Sequence, residues 1–243
     1  MKKYRNGLVV GKFSPLHKGH ELLIERALEE CETLYIFSYY TPEFAGCEAH
    51  RRERWLKTLF PEARVFVLDD EYMRKRFNIL LPPNDANDLE ERRFVGFLWT
   101  NLVNEPLDAV FTSENYGAGY AAEMSWYFSF YTDFPPVQHV SVDLERVAVP
   151  ISGTRLRQDV HNLKEFLSPM VYASFVERLC FLGGESSGKS TLVERLAQEF
   201  NTTFVAEYGR NAGSYVNQIT RSGTNEFSGA VFYNYAGRSE ERL

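Results

Sequence analysis

The chain has 243 residues, with 27 Lys and Arg against 33 Asp and Glu, for a formal charge of −6. With 44% hydrophobic and 25% charged residues it is an ordinary globular composition, which excludes wholesale disorder and suits one or two domains. The acidic balance argues against a general nucleic-acid binder, and leaves room for a local pocket that takes a phosphorylated small molecule.

The start, Met1 to Gly7, is basic, but only Leu8-Val9-Val10 follows before Gly11-Lys12. That is a short buried strand over residues 7–10 and no signal h-region. Phe13 to Leu16 is turn-like, and from Lys18 the apolar spacing predicts a helix to Cys31. Residues 33–38 read as a second strand, so the opening is a βαβ unit of a parallel sheet. A basic helix is predicted over 49–59 and a third strand over 64–68. After the Pro82-Pro83 loop, Asn87 or Asp88 caps a helix, with Glu90 or Glu91 completing a capping box. Residues 109–112 and 137–142 read as further strands, Ser152 as a helix start, and 163–176 as a helix interrupted by Pro169. Residues 179–182 open a new βα unit, so a domain boundary is expected near 168–178. The fold class is α/β. Cys31, Cys47 and Cys180 are far apart with no C-x-x-C, and no run approaches roughly 18 apolar residues. A cytoplasmic protein with no membrane partner is expected.

His17-Lys18-Gly19-His20 lies between a strand end and a helix start, where open α/β sheets bind ligands. Exposed N–H groups and the helix dipole favour an anion there. Two histidines three apart share one helix face, and Gly19 leaves room for a phosphate beside the backbone. Two imidazole donors at a helix end suit a phosphoryl group whose charge shifts in the transition state. The same spacing serves zinc, or arises by chance on a surface. No third His, Cys or carboxylate is placed by spacing to finish a metal site, so the phosphate reading is preferred.

The stretch from Gly11 to His20 resembles the HxGH signature of the nucleotidyltransferase superfamily. Ile151-Ser152-Gly153-Thr154-Arg155-Leu156-Arg157 resembles its second signature, ISGTxxR. Arg54-Trp55-Leu56, Thr112-Ser113-Glu114 and Val142-Asp143 add a resemblance to the NadR-type bifunctional nicotinamide-nucleotide adenylyltransferase/ribosylnicotinamide kinases, over most of residues 7–210. The resemblance implies a Rossmann-like parallel-sheet transferase domain over residues 1–170, and in-line attack of nicotinamide mononucleotide on the α-phosphorus of ATP to give NAD and pyrophosphate. It implies that His17 and His20 hold the ATP phosphates, and that Ser152, Gly153, Thr154 and Arg157 bind the triphosphate, with Arg157 the fixed cation. Gly11, Lys12, Phe13, Ser14 and Gly19 would line the substrate side, partly through backbone. Mg²⁺ would travel with ATP. The partners are ATP and nicotinamide mononucleotide, with no nucleic acid, and homo-oligomerisation is left open. Trp99 divides evenly between stacking on the nicotinamide ring and core. Arg52 and Arg54 are expected on a solvated helix face, with a phosphate contact the alternative. Ser113 and Glu114 touch a ribose or cap a turn. His50, His139 and His161 are read as structural. Beside this stand another superfamily member with a different phosphate acceptor, and a non-catalytic nucleotide sensor. With a first strand at Gly7, a preceding DNA-binding helix-turn-helix, and with it transcriptional repression, is not expected.

Gly183-Gly184-Glu185-Ser186-Ser187-Gly188-Lys189-Ser190-Thr191 fits the P-loop pattern after an apolar strand, with Leu192, Leu196 and Phe200 continuing an amphipathic helix. Backbone N–H groups including those of Gly183, Gly188 and Thr191 would cradle phosphate, Lys189 would reach the β/γ oxygens and Ser190 would hold Mg²⁺. A partial kinase-like segment is expected over residues 178–210, where the resemblance ends at Arg210. Residues 211–243 read as a β-prone tail, with strands at 215–220 and 227–235, and residues 219–235 faintly resemble a strand pair of TonB-dependent receptors. The kinase half is expected to be incomplete, without useful ribosylnicotinamide phosphorylation.

Overall fold

Successive residues of a strand point to opposite faces, yet Leu8 and Val9 of β1 (Tyr4–Val10) are both fully buried. The first sheet is therefore covered on both sides, as a parallel sheet must be. In the computed structural model, which describes residues 2–41, 44–130, 133–183, 187–205 and 215–220, the chain divides into two units, Met1–Ser174 and Phe175–Leu243.

The first unit has the parallel order β3-β2-β1-β4-β5. Its strands β2 (Cys31–Tyr39), β3 (Arg64–Leu68), β4 (Ala109–Thr112) and β5 (Gln138–Ser141) lie close to the ranges predicted from sequence. The order reverses between β1 and β4, and that switch point opens the crevice where such sheets bind ligands. Helices α1 (Lys18–Glu30) and α2 (Ala49–Leu59) also follow the prediction. So does α4 (Asp88–Leu102), whose cap is Asn87, its side chain accepting from the Glu90 N–H at 3.0 Å.

Two helices are unanticipated. The first, α3 (Asp70–Phe77), is capped by the Asp69 carboxylate but buries only Met73, so its charged sequence carries little periodicity. The second, α5 (Gly117–Ser129), buries Gly117, Tyr120, Ala121, Met124 and Phe128, a helical spacing that its glycines and surrounding aromatics obscure. Residues 163–176 form no single helix. A 3₁₀ turn at Lys164–Phe166 precedes α7 (Pro169–Tyr172), which Pro169 begins rather than interrupts. Between β5 and that turn lies α6 (Gly153–Gln158).

One face of the sheet packs against α4 and α5 around Trp99, which is 0% exposed. The indole meets Tyr35 and Phe37, and its Nε1–H donates to the Glu105 carbonyl at 2.7 Å. The ring is fully buried and its polar edge is satisfied inside the protein, so Trp99 is a core residue and not the stacking partner of a ligand. Arg52 is neither solvated nor at an open phosphate site. It is 0% exposed, on the same α2 face as Trp55 and Leu56, and donates to Ser38 Oγ at 2.6 Å and to the Tyr40 and Lys12 carbonyls. Arg54 is exposed.

The second unit holds β6 (Arg178–Gly183), α8 (Lys189–Glu199), β7 (Thr203–Val205) and β8 (Tyr215–Thr220). β8 runs antiparallel between β6 and β7. Its range is the strand predicted at 215–220; residues 206–214 and 221–243, with the rest of the predicted tail, lie outside the described residues. The buried face of α8 is Val193 and Ala197, while Leu192 and Phe200 are exposed. The buried stripe is therefore one position along from the Leu192-Leu196-Phe200 spacing.

Truncating Trp99 to Ala is expected to cost the first unit about 3–5 kcal/mol, the range for a buried aromatic. Urea unfolding followed by far-UV circular dichroism measures this, and a loss under about 1 kcal/mol would show that the ring is not core.

Candidate functional site

A histidine is a poor helix starter, yet His17 is the N-cap of α1. Its extended backbone leaves the ring free to fold over the first turn, where Nδ1 accepts from the His20 N–H at 3.3 Å. A nitrogen that accepts cannot carry the proton, so the neutral ring keeps its hydrogen on Nε2. The ring then lies on that of His20, centroids 3.7 Å apart and planes 19° from parallel. Gly19 makes this possible, since a Cβ there would stand 3.1 Å from two His17 ring atoms. Phe13 backs His20 edge-on at 5.0 Å, from a left-handed backbone (φ 46°) that turns its own ring into the core.

Both imidazoles disfavour a proton. His17 is pushed down to about 4, by burial first and then by Arg146, with Arg157 a smaller contributor. His20 is held well below the usual histidine range by burial, by His17 and by Arg146. Its Nδ1 is buried with no hydrogen-bond partner. At neutral pH the pair is thus two uncharged rings, with N–H groups to give and no charge to offer.

His20 faces two cavities. The larger, about 380 Å³, lies outside the carboxyl ends of β1 and β4. Gly11, Lys12, Thr112, Ser113 and Glu114 line it from the sheet, Glu91 and Arg92 from α4, and Tyr116 and Tyr120 at the start of α5. Tyr39 completes an aromatic end, and the Tyr120 hydroxyl is buried without a partner. Gly117 keeps that helix start close to the sheet, because a Cβ there would run into His139 and Thr112. The smaller cavity, about 90 Å³, shares His20, Ser113 and Glu114 and adds His17, Gly19, Arg146, Ser152 and Gly153.

The structure thus gathers Gly11, Lys12, His17, Gly19, His20, Ser152 and Gly153 at one place. Ser152 caps α6, its Oγ accepting from the Arg155 N–H. Phe13 and Ser14 are buried and line neither cavity, so they support the loop rather than face a ligand. Arg157 and Thr154 also stand off the cavity walls. Arg157 donates to the Ser14 carbonyl at 2.8 Å and to Thr154 Oγ1 at 3.1 Å, which ties the second signature to the first loop. Three groups escaped the sequence reading: Arg146, Glu91 and the Tyr39/Tyr116/Tyr120 cluster. Arg146 sits between the noted Val142-Asp143 run and the ISGT segment, but only the fold brings it to Glu114, at 2.8 Å. Among the described residues no group of three or more His, Cys, Asp or Glu is placed to hold a metal ion.

In the second unit Gly188 (φ 78°) caps α8 in a left-handed conformation, and Lys189 Nζ donates to Ser187 Oγ at 3.1 Å. Ser190 and Thr191 follow on the first turn of α8, and Gly183 ends β6. Gly184, Glu185 and Ser186 lie outside the described residues.

Similarity to known proteins runs through both units. Residues 178–227 match the AAA domain family, beyond Arg210, where the sequence resemblance ends. The trifunctional NAD biosynthesis/regulator protein NadR of Salmonella typhimurium is 32% identical over 213 residues, 84% of this chain and 49% of that protein. NadR of Escherichia coli is 31% identical over 214 residues, with the same coverage. The chain belongs to the NadR-type proteins. It spans about half the length of these curated relatives. A probable nicotinate-nucleotide adenylyltransferase of Nitratiruptor sp. is 38% identical over 72 residues, 27% of this chain and 41% of that protein. A crystal structure of NadR protein in complex with NR superposes with a TM-score of 0.53 at 22% identity, covering 82% of this chain and 53% of that one. That likeness shows the fold. The relatives are proteins of NAD biosynthesis and nucleotidyl transfer. No helix among the described residues of this NadR-type chain is long and apolar enough to cross a membrane.

The His17 shift has a stability consequence. As pH falls through about 6.5 the unfolded chain takes up the imidazole proton first. The benefit of the neutral ring is whole above that value, and is lost progressively down to about 4. His17→Asn, which keeps a cap acceptor, is expected to lose stability less steeply across this window. An unchanged slope in urea unfolding at stepped pH would show that His17 titrates normally.

Proposed function

We propose that this chain is a nicotinamide-nucleotide adenylyltransferase. The observation that carries the reading is the stacked imidazole pair at the start of α1, placed between a mononucleotide-sized cavity and the Ser152-Gly153 segment. A 5′-phosphate oxygen of nicotinamide mononucleotide attacks the α-phosphorus of ATP. The bond from that phosphorus to the bridging oxygen breaks as the new one forms, and pyrophosphate leaves with the electron pair. No protein nucleophile is needed, so the work is positioning and charge stabilisation.

In this reading the N–H groups of His17 and His20 donate to phosphate oxygens as charge moves to the leaving pyrophosphate. Neutral imidazoles suit the task, because they neither give up a proton to the phosphates nor repel each other. The larger cavity takes the mononucleotide. Lys12 lines it and donates to the Asn84 carbonyl at 3.0 Å. Tyr39, Tyr116 and Tyr120 provide the aromatic wall that Trp99 does not. The Glu91 carboxyl, held above its ordinary range mainly by burial, lies on the same wall as the Tyr120 hydroxyl. Of the carboxylates lining the two cavities, Asp88 pairs with Arg92, Glu114 with Arg146, and Asp143 accepts from the backbone of its own loop, which leaves Glu91. That donor set fits magnesium carried in on the ATP phosphates with its own waters. When bound it would neutralise phosphate charge. For the second unit we propose phosphate binding at Gly183, Gly188, Lys189, Ser190 and Thr191, with Ser190 the hydroxyl that would hold a metal ion.

The test is incubation with ATP, Mg²⁺ and each candidate mononucleotide, followed by pyrophosphate release and product mass. Nicotinamide mononucleotide is expected to yield NAD; adenylylation of a different acceptor alone would overturn the substrate assignment. His20→Ala is expected to cut turnover at least ~10²-fold with less effect on binding, as for other lost transition-state donors. Tyr120→Phe, which removes one buried hydroxyl, is expected to raise the mononucleotide KM by roughly 3–10-fold and leave that for ATP unchanged. Steady-state kinetics read both, and wild-type turnover in His20→Ala would remove that ring from the mechanism.

A further inference from the structure

A polyphosphate brings dense negative charge to the notch, and most groups assigned to meet it carry none or face elsewhere. The two imidazoles are neutral. Arg157 is engaged with the Ser14 carbonyl and Thr154, off the cavity wall. Among the described residues lining the smaller cavity, Arg146 is the one cation. Its guanidinium reaches across to Glu114 Oε1 at 2.8 Å and to the Ile151 carbonyl at 3.4 Å, just before Ser152. The pairing is half-exposed on both sides, so water screens it and little holds it shut.

The loop that carries Arg146 is built from within. The Asp143 carboxylate accepts from the N–H groups of Val147, Ala148 and Val149, while Arg146 N–H donates to the Asp143 carbonyl at 2.8 Å. Arg146 keeps a left-handed backbone, φ 51°, an unfavourable state for a residue with a Cβ. In the same cavity His20 Nδ1 is buried and unpartnered. The notch therefore combines one movable guanidinium, two uncharged rings and an unfilled polar group.

Resting on the adenylyltransferase reading, we propose that Arg146 is a triphosphate-binding residue of the transfer reaction, latched on Glu114 in the unliganded chain and handed to the phosphate oxygens when ATP enters. The guanidinium fork matches two phosphate oxygens at once, a geometry that lysine lacks. Glu114 lines both cavities, so the exchange also frees a carboxylate at the border between the two substrates. Around the imidazole pair stand Arg146, Glu114 and Asp143 of the same cavity and Arg157 of α6. Of these, Arg146 is the cation that holds down both rings.

The experiment compares wild type, Arg146→Gln and Arg146→Lys in NAD formation across pH, with ATP binding measured separately by calorimetry. Arg146→Gln is expected to raise the ATP KM and Kd by at least ~10-fold, the scale of a lost charge-assisted contact, with the mononucleotide KM within about twofold. Its acid limb of kcat/KM is expected to move to higher pH, because the imidazoles protonate more readily once the cation is gone. Arg146→Lys is expected to keep the acid limb near wild type and recover ATP affinity only in part. Unchanged ATP KM and Kd in Arg146→Gln would overturn the proposal. So would equal losses for both substrates with an unmoved acid limb, which is the mark of a loop that has merely collapsed. Should wild type bind ATP but form no NAD, the acceptor assignment fails, and the calorimetric comparison of Arg146→Gln with wild type still decides this inference.

Discussion

Two imidazole rings 3.7 Å apart cannot both hold a proton without strong repulsion, and that constraint shapes the site. His17 lends one nitrogen to cap α1, which fixes its tautomer. His20 is pressed beneath it, and Gly19 supplies the missing side chain that lets the rings meet. The result is a rigid pair of uncharged donors. Charge for an anionic ligand must then come from outside the pair; in the proposed reaction it comes from Arg146 beside it and from a cation carried on the phosphates.

The fold exists to hold this pair at the switch point of a parallel sheet. The loop between β1 and α1 is tied down from several directions. Arg52 reaches from α2 to the Lys12 carbonyl, Arg157 from α6 to the Ser14 carbonyl, and Phe13 plugs into the core beside His20. A buried arginine with no carboxylate partner among the described residues is costly, and here its hydrogen bonds join the end of β2 to the loop. Arg157, assigned from sequence as the fixed cation for the triphosphate, serves in this structure as a tie between the two signature segments.

What was legible in the sequence was local. The strands of the first sheet, the helix α1 and the His17-Gly19-His20 notch are written in adjacent residues, where pattern and turn chemistry speak directly. Arg52 was misplaced because it sits in a charged run, although its spacing to Trp55 and Leu56 marks the inward face. Trp99 was ambiguous because a helix aromatic reads the same in a core and at a ligand. In α8 the apolar spacing marked Leu192, Leu196 and Phe200, and packing buried the neighbouring stripe of Val193 and Ala197 instead. Arg146 was invisible for a different reason. Its place at the notch depends on a left-handed turn and on Glu114, thirty-two positions earlier, which only tertiary structure brings together.

The most direct measurement is a pH titration of the ¹⁵N-labelled imidazoles by NMR in the ligand-free chain. The account predicts that His17 stays neutral, with its hydrogen on Nε2, until pH falls towards about 4, and that His20 does not protonate near its ordinary pH. A midpoint near 6.5 for either ring, or a hydrogen on His17 Nδ1 at neutral pH, would contradict it.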